Sequence, residues 1–324
     1  MPDTVALEDV KSAHTIVQKH LLRTPLVYSP EFSEAVGSEI YFKLESFQRT
    51  HAFKARGALN KVSSLSQNQR DRGVMAASSG NHALGVAFSS ALLGVEATVV
   101  MPTRAPVPKI ELAKHYGAKV LLYGDTYDDA LAHAQTLAEE QGKELLPSFD
   151  DLKVVAGQGT VALEVLDVLP DVDLFLAPIG GGGLISGLSV TLDGLDNDAQ
   201  VIGVEAEGSP NMLESVRAGR RTKLPHIQTI ADGIAVQQPG QLNFEFVQRY
   251  ENTILTVNDD QIFEGMVRML YDMRVVVEPA AAAPVAAVLF DESLHNLGKI
   301  ICCVITGGNI SPELLQQVVA GKAA

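Results

Sequence analysis

Short apolar runs alternate with longer amphipathic stretches along most of the chain. The apolar runs predict strands at residues 74–77, 97–101, 119–123, 174–179, 201–205 and 300–305. The amphipathic stretches predict helices at residues 81–93, 108–116 and 127–141, and a further helix after Gly183. Continuous apolar runs are typical of parallel strands whose sheet is covered on both faces. Strand–helix–strand alternation in this rhythm therefore predicts an α/β fold with parallel crossover connections.

The length and composition of the chain allow a sizeable core and argue against two classes of partner. With 324 residues, of which 46% are hydrophobic, one large or two moderate domains are expected. Lys and Arg number 25 against 39 Asp and Glu, which gives a net charge of −14. Nucleic acids and anionic membrane surfaces both require a basic surface, so neither is an expected partner. No apolar stretch reaches the roughly 18 residues of a membrane span.

The two cysteines and the N-terminus favour a reducing compartment. Cys302 and Cys303 are neighbours in a predicted strand, so their side chains point to opposite faces and do not pair. Buried free cysteines are typical of cytoplasmic proteins. The segment from Met1 to Thr4 has no basic region followed by an apolar core, so no signal peptide is expected. The chain is therefore predicted to be cytoplasmic.

Lys54, in the segment His51-Ala52-Phe53-Lys54, belongs to the first of four motifs that fit one kind of site. The others are Ser78-Ser79-Gly80-Asn81-His82, Gly180-Gly181-Gly182-Gly183 and Thr306-Gly307-Gly308-Asn309. An isolated lysine beside a phenylalanine is usually a surface residue. Its occurrence with the other three motifs instead predicts an amine that reacts with a cofactor.

The four glycines Gly180 to Gly183 follow a predicted strand and open a predicted helix. Backbone N–H groups and the helix dipole favour an anion there, and glycine lets a phosphate approach closely. The segment is neither the Gly-x-Gly-x-x-Gly dinucleotide motif nor a nucleotide P-loop, which ends in Lys-Ser/Thr. A plain flexible turn is the alternative interpretation.

Residues 78–82 have a similar position, between a predicted strand and the start of a predicted helix. Such a helix start can receive a carboxylate group, for example that of an amino-acid substrate. Serine and asparagine are also good capping residues in the absence of any ligand. The segment alone therefore leaves both interpretations open.

In this order, the four motifs resemble those of the fold-type II pyridoxal-phosphate enzymes, in particular the serine/threonine dehydratase and serine racemase family. The resemblance covers nearly the whole chain. It implies two α/β domains with parallel, helix-covered sheets, as in the tryptophan synthase β type, and pyridoxal 5′-phosphate in the cleft between them. Residues 1–67 and 149–324 are expected to form a large cofactor-binding domain, and residues 68–148 a small mobile domain. The C-terminal regulatory domain of the related biosynthetic threonine dehydratases is not expected.

The resemblance also implies how individual residues meet the cofactor. Lys54 is expected to bond the cofactor's aldehyde and then to act as a base at the substrate's Cα. Phe53 packs beside the cofactor, Gly180 to Gly183 bind its phosphate, and Asn81 hydrogen-bonds its ring hydroxyl. Thr306 faces the pyridine nitrogen, where a neutral hydroxyl favours elimination because it does not stabilise a protonated ring. A simple strand-end cap is the alternative role for Thr306.

The substrate's carboxylate is expected at the second motif, on Ser78, Ser79, Gly80, Asn81 and His82. Two departures from the family pattern leave the substrate open. The first is Ser79, which stands where many threonine dehydratases have alanine; serine racemases have a serine here as the second catalytic acid/base.

The second departure is His51, which stands where dehydratases of this family commonly have glycine. Its imidazole either reaches the substrate's β-side, where it favours an acidic substituent, or lies on the surface.

Glu205 ends a predicted strand and is a candidate ligand for a divalent cation such as Mg²⁺, as the matching acid is in several family members. Ser209 and Asn211 lie nearby in the sequence, but the second carboxylate of those relatives is not apparent. Hard cations prefer charged oxygen ligands, so the sequence supports a metal site less than it supports the cofactor.

The sequence thus predicts a pyridoxal-phosphate-dependent ammonia-lyase that converts a small L-β-hydroxy amino acid, L-threonine or L-serine, to a 2-oxo acid and ammonia. A serine racemase or a 3-hydroxyaspartate dehydratase on the same fold is the alternative. A β-replacement synthase is less favoured because it needs a second nucleophile, and a non-catalytic binding module is less favoured because Lys54 is retained. The expected partners are the amino-acid substrate and further copies of the chain in a homodimer or homotetramer.

Overall fold

The structure, a computed structural model, describes residues 4–105 and 107–321. The helices are α1 (Leu7–His20), α2 (Pro30–Val36), α3 (Lys54–Ser63), α4 (Gln67–Arg72), α5 (Asn81–Leu92), α6 (Val107–His115), α7 (Tyr127–Gln141), α8 (Leu152–Leu166), α9 (Gly183–Gly194), α10 (Asn211–Arg217), α11 (Gln241–Arg249), α12 (Asp259–Met273), α13 (Pro279–Phe290) and α14 (Pro312–Ala320). The strands are β1 (Leu26–Tyr28), β2 (Glu39–Leu44), β3 (Val74–Ala77), β4 (Ala97–Met101), β5 (Lys119–Leu122), β6 (Glu144–Leu145), β7 (Leu174–Pro178), β8 (Gln200–Ala206), β9 (Thr253–Val257) and β10 (Ile300–Ile305). Short 3₁₀ turns lie at Glu45–Phe47, Asp232–Ile234 and Glu292–Leu294.

The predicted α/β class is confirmed, and the strands predicted from apolar runs are present with boundaries that differ by about one residue. The apolar-run pattern did not predict β1, β2, β6 or β9. Of these, β1 and β6 have only three and two residues, too few to show a pattern. The strand β1 is also antiparallel to its neighbour β2, an exception to the expected parallel arrangement.

The larger sheet has the strand order β1-β2-β10-β7-β8-β9. β10 and β7 are its two central strands. β10 runs parallel to both β2 and β7, with Ile301 opposite Ile40 and Leu174. Cys302 packs into the hydrophobic cluster with α8 and α9, whereas Cys303 packs into the cluster with α12 and α13. The two cysteines are free and point to opposite faces, as predicted, and helices cover both faces of this sheet.

The smaller sheet has the order β5-β4-β3-β6 and is parallel throughout. One face packs against α5 and α6, and the other packs against α7 through the small side chains of Ala130, Ala134 and Ala138. β5 lies at the edge of this sheet and is only half covered, so it differs from the fully buried strands β3 and β4.

The carboxyl ends of three strands, and one contact between two helices, determine where the four motifs lie. Because the carboxyl ends of neighbouring parallel strands meet at one edge of a sheet, β7 and β10 bring the tetraglycine segment and Thr306 to the same edge. β3 leads directly into the second motif and α5. A Cβ at Gly85 of α5 would lie 3.1 Å from the carbonyl carbon of Lys54, so α5 and the start of α3 are in close contact.

In residues 4–105 and 107–321, no helix is both long and apolar enough to cross a membrane. Residues 1–3, on which the expectation of no signal peptide partly rests, lie outside the described residues.

Candidate active site

Lys54 is the first residue of α3, and its side chain is partly buried. Its Nζ donates a hydrogen bond to the carbonyl oxygen of Ser148 at 2.8 Å. The same atom lies 5.2 Å from the ring centroid of Phe53 and 5.9 Å from that of Phe149. Burial lowers the pKa of Lys54 to about 8, although the negative charge of Glu278 opposes this shift. Near neutral pH a larger share of the amine is therefore unprotonated and able to act as a nucleophile.

The tetraglycine loop, Gly180 to Gly183, joins β7 to α9 in a conformation that excludes side chains. Gly182 has φ +94°, which an L-residue with a side chain rarely adopts. A Cβ at Gly181 would lie 2.3 Å from the Phe149 ring, and one at Gly182 would lie 2.8 Å from the Cβ of Asn243. Because Phe149 lies close to both this loop and the Lys54 amine, the two motifs meet at one aromatic ring.

The amide N–H groups of this loop are free to bind a ligand. None of the amides of Gly181, Gly182 and Gly183 donates a hydrogen bond to a residue in the described ranges. These amides open α9, where the helix dipole adds to their attraction for an anion. The loop thus has the chemistry of a phosphate-binding cradle.

Asn81 connects the second and fourth motifs through its side chain. Its Nδ2 donates to Glu278 Oε1 at 2.7 Å, and its Oδ1 accepts from Nδ2 of Asn309 at 2.8 Å. Asn309 also donates to the carbonyl oxygen of Thr50 at 2.9 Å. These bonds bring residues from four distant segments together beside Lys54.

Glu278 is a site residue that the sequence analysis missed. It is 4% exposed, and burial, together with the charge of Asp232, raises its pKa to about 7. A Cβ at Gly307 would lie 2.3 Å from Glu278 Oε1, so the fourth motif needs glycine at this position. The available signal was a single acid inside a run that is otherwise apolar from Val275 to Phe290.

Thr306 follows β10, and its neighbours anchor the segment that precedes Lys54. The carbonyl oxygen of Thr306 accepts from the Phe53 amide at 3.0 Å. Ala52 and Gly307 form an antiparallel bridge, and the Gly308 amide donates to the His51 carbonyl oxygen at 2.9 Å. The first and fourth motifs are therefore held together by backbone hydrogen bonds.

The rest of the second motif lies at the start of α5, next to the start of α3. Ser78 and Ser79 are half-buried, and the Gly80 amide donates to Ser78 Oγ at 3.1 Å. The ring of His82 is buried, and its Nε2 lies 2.9 Å from the Leu146 carbonyl oxygen. Burial, together with the charge of Lys54, lowers the pKa of His82 to about 4, so its ring is neutral and its bonded nitrogen donates.

His51 is exposed and has φ +56°. This left-handed conformation explains why glycine is common here in the family that the sequence resembles, because glycine adopts it without strain. The imidazole makes no hydrogen bond to any residue that the structure describes.

Glu205 caps a helix in this structure. Its two carboxylate oxygens accept hydrogen bonds from the amides of Met212 and Leu213 at 2.8 and 2.9 Å, and burial raises its pKa to about 8. Ser209 Oγ donates to Val236, and Asn211 Nδ2 donates to the Gly180 carbonyl oxygen at 3.1 Å. Within the described part of the chain, no group of three or more His, Cys, Asp or Glu residues is placed to hold a metal ion.

A buried ion cluster, formed by Lys43, Glu45, Arg56 and Glu164, lies behind the start of α3. All four side chains are at most 3% exposed. Lys43 pairs with Glu164 at 2.6 Å, and Arg56 pairs with Glu45 and Glu164 at 2.8 and 2.7 Å. Two cations and two anions balance, and the cluster joins β2, the following 3₁₀ turn, α3 and α8.

Comparisons with known proteins agree with this geometry. The family model described as "Pyridoxal-phosphate dependent enzyme" matches residues 17–307. An L-threonine ammonia-lyase of Thermotoga maritima is 43% identical over 97% of this chain and 78% of its own length. The catabolic L-threonine dehydratase of Escherichia coli K12 is 39% identical over 97% of this chain and 96% of its own length. The structure of maize serine racemase has a TM-score of 0.93 and 31% identity, covering 98% of each chain.

Proposed function

The chain belongs to the family of pyridoxal-phosphate-dependent enzymes, and on this premise we propose that it converts a small L-β-hydroxy amino acid to a 2-oxo acid and ammonia. It is an ammonia-lyase of the threonine/serine dehydratase type, and L-threonine and L-serine are the substrates to test first. The observation that carries the proposal is the Lys54 amine of lowered pKa, surrounded by the three other motifs.

The residues present fit pyridoxal 5′-phosphate. The free amides of the tetraglycine loop suit its phosphate, Lys54 suits its aldehyde, and the hydroxyl of Thr306 suits its pyridine nitrogen. Asn81 is the candidate partner of the ring hydroxyl, and Phe53 packs beside the ring. When bound, this cofactor withdraws electrons from the substrate's Cα and so weakens the bond to the Cα proton.

The chain's own residues then bind and orient the substrate and move its protons. The N–H groups at the start of α5, with Ser78 and Ser79, bind the carboxylate. His82 contributes its backbone, since its ring bonds to Leu146. Lys54 takes the Cα proton, and the β-hydroxyl leaves with one added proton, so that the substrate loses one water in all. One water is then consumed in hydrolysis, so the products are a 2-oxo acid and ammonia.

The test is a visible absorption spectrum of the purified protein followed by a 2-oxo acid assay. L-threonine, L-serine and 3-hydroxyaspartate are compared, each with and without an added thiol. We expect the purified protein to absorb near the visible region and borohydride to fix the cofactor on Lys54. We also expect 2-oxobutanoate or pyruvate to form without the thiol. A 2-oxo acid formed only from 3-hydroxyaspartate supports that alternative, and a product that requires the thiol supports a β-replacement synthase. A colourless, inactive protein after incubation with the cofactor contradicts the proposal.

Racemisation of serine is the second candidate function, and Ser79 is the observation that favours it. Its hydroxyl bonds to no other residue among those that the structure describes, so it is available as a second acid/base. Reaction in deuterium oxide followed by chiral chromatography measures labelled D-serine. Ser79→Ala should abolish D-serine and largely spare 2-oxo acid formation. If the parent forms no D-serine, this second function is contradicted.

We further propose that residues 68–148 form a small mobile domain, with residues 1–67 and 149–324 forming the large one. All strands of the smaller sheet lie in residues 68–148. Three partly exposed ion pairs, Lys61–Glu144, Lys109–Asp232 and Lys223–Asp128, join these residues to the large domain. A cytoplasmic homodimer or homotetramer is the proposed assembly. Light scattering of the purified protein tests the oligomeric state.

A further inference from the structure

We propose that Asn211 and Asn243 are positioning residues that turn the amides of the tetraglycine loop toward the phosphate of the cofactor. This inference rests on the proposed function, because it takes the loop as the phosphate site. It goes beyond that function by assigning the loop's conformation to two asparagines outside the four motifs.

Each asparagine donates to one carbonyl oxygen of the loop. Nδ2 of Asn211 donates to the Gly180 carbonyl oxygen at 3.1 Å. Nδ2 of Asn243 donates to the Gly181 carbonyl oxygen at 3.0 Å and also to the Phe149 carbonyl oxygen at 3.0 Å. The amide of Gly240 adds a further hydrogen bond to the Gly181 oxygen at 3.1 Å. Two successive loop carbonyls are thus held on the side of α10 and α11.

Because the peptide group is planar, these contacts determine the direction in which the N–H groups of the loop point. In a planar trans peptide, the C=O and N–H bonds point to opposite sides. When Asn211 holds the Gly180 oxygen, the amide of Gly181 points away from Asn211. The bond from Asn243 to the Gly181 oxygen fixes the amide of Gly182 in the same way. The asparagines also keep two partially negative oxygens away from the ligand side, where they would repel a phosphate.

Within the described residues, the two asparagine side chains donate hydrogen bonds and accept none. Both residues are fully buried, and within the described residues the Oδ1 atom of each has no hydrogen-bond partner. A buried polar atom without a partner is costly, so the contacts of the NH₂ groups must offset that cost. Leucine has nearly the same shape and removes both the donor and the unpartnered acceptor, which makes it a suitable substitution at both positions.

The sequence-predicted metal residues have a structural role in this arrangement. Glu205 accepts from the amides of Met212 and Leu213, the residues directly after Asn211. The Asn211 amide donates to the Ser209 carbonyl oxygen at 2.9 Å. These bonds fix the first turn of α10 and with it the side chain that reaches Gly180. The residues considered as candidate cation ligands thus support the tetraglycine loop.

The experiment measures how tightly the apoprotein binds pyridoxal 5′-phosphate and pyridoxal, which lacks the phosphate. Asn211→Leu and Asn243→Leu are compared with the parent, and circular dichroism checks that each variant is folded. Asn252→Leu is the matched control, because Asn252 donates to the Val201 carbonyl oxygen and to Ser189 of α9, away from the loop. Asn211→Ala, which removes the donor without adding a charge, is the second variant if leucine prevents folding.

For Asn211 variants we expect pyridoxal 5′-phosphate to bind about tenfold or more weakly, and pyridoxal affinity to change by less than about twofold. Asn243→Leu should weaken the binding of pyridoxal 5′-phosphate more than that of pyridoxal, and Asn252→Leu should change the binding of neither ligand. Equal losses for both ligands, or no loss for the phosphate-bearing one, would overturn the positioning role. If the parent protein binds both ligands equally well, the phosphate site itself is contradicted. This outcome distinguishes failure of the proposed function from failure of the present inference.

Discussion

Two regions of the molecule hold a lysine that points into the protein, and their surroundings differ in charge. In the ion cluster, Lys43 lies 2.6 Å from Glu164 and donates to the Thr24 carbonyl oxygen at 2.8 Å. At the active site, Lys54 has a carbonyl oxygen and two aromatic rings as its neighbours. In the described ranges no carboxylate lies within ion-pair distance of Lys54.

This difference separates a structural cation from a reactive amine. A buried cation that is matched by anions keeps its proton and joins the elements that supply its partners. A buried amine without such a partner is more easily deprotonated, and the pKa of about 8 for Lys54 has this cause. Glu278 acts on Lys54 only at longer range and moderates the shift.

The largest expected effect comes from Lys54→Met. This change removes the covalent link and the base together, so 2-oxo acid formation should fall by several orders of magnitude. The free energy of unfolding of the apoprotein should not fall, because no ion pair is lost and because removing a buried amine offsets the loss of its hydrogen bond to Ser148. Lys114→Met, at an exposed lysine of α6, is the control for both measurements. Retention of substantial turnover in Lys54→Met would contradict the assignment.

Arg56→Met should have the opposite effect to Lys54→Met, because it should lower the stability of the protein first. The change leaves Glu45 and Glu164 buried with too few partners, and such a loss costs about 3–5 kcal/mol in the free energy of unfolding. Urea denaturation of the apoprotein measures this cost. The control is Arg23→Met, whose exposed pair with Asp167 should contribute less than about 1 kcal/mol. Similar losses in both variants would show that burial of the cluster does not matter.

The third prediction concerns the pH dependence of the Lys54 amine. In the apoprotein, the rate at which Lys54 reacts with a small aldehyde should rise with pH and have its midpoint near 8, because only the unprotonated amine reacts. Glu278→Gln should move this midpoint to lower pH, because the Glu278 charge raises the pKa of Lys54. An unchanged or higher midpoint in Glu278→Gln would mean that the two groups are not coupled.

The same shift links stability to pH. Between about pH 8 and the ordinary lysine value of 10.5, the unfolded chain binds more protons at this position than the folded protein. The contribution of Lys54 to the free energy of unfolding should therefore rise with pH in this window. Denaturation of the parent and of Lys54→Met at several pH values isolates this contribution. If the difference between their free energies of unfolding does not change with pH, the predicted link is contradicted.

The smallest effect is expected for His51→Gly, in the segment that joins the two regions. Glycine relieves the left-handed conformation but makes the unfolded chain more flexible, so the free energy of unfolding should change by less than about 1 kcal/mol. Because the imidazole is exposed, the ratio of kcat/KM for L-threonine and 3-hydroxyaspartate should stay within about twofold. A larger change in this ratio would place His51 in substrate selection.

The sequence was sufficient for the α/β class and for the motifs that follow strands. Each of these depends on local signals, such as an apolar run that ends in Gly180 to Gly183 or in Thr306. The long-range partners were not predicted: Phe149, Asn243 and Glu278 reach the site from remote segments. The ion cluster was missed for the same reason, because Lys43 and Glu164 appear in the sequence as single charges within apolar stretches.

The position of β10 also has a consequence for synthesis on the ribosome. β3 to β6 lie in one continuous stretch, so the smaller sheet can fold while the rest of the chain is still being made. The larger sheet must wait, because β10 fills the gap between β2 and β7 and is translated after both. Until then, two strand edges stay open to other chains. Because Thr306 directly follows β10, a nascent chain becomes resistant to aggregation and competent for its cofactor at nearly the same moment.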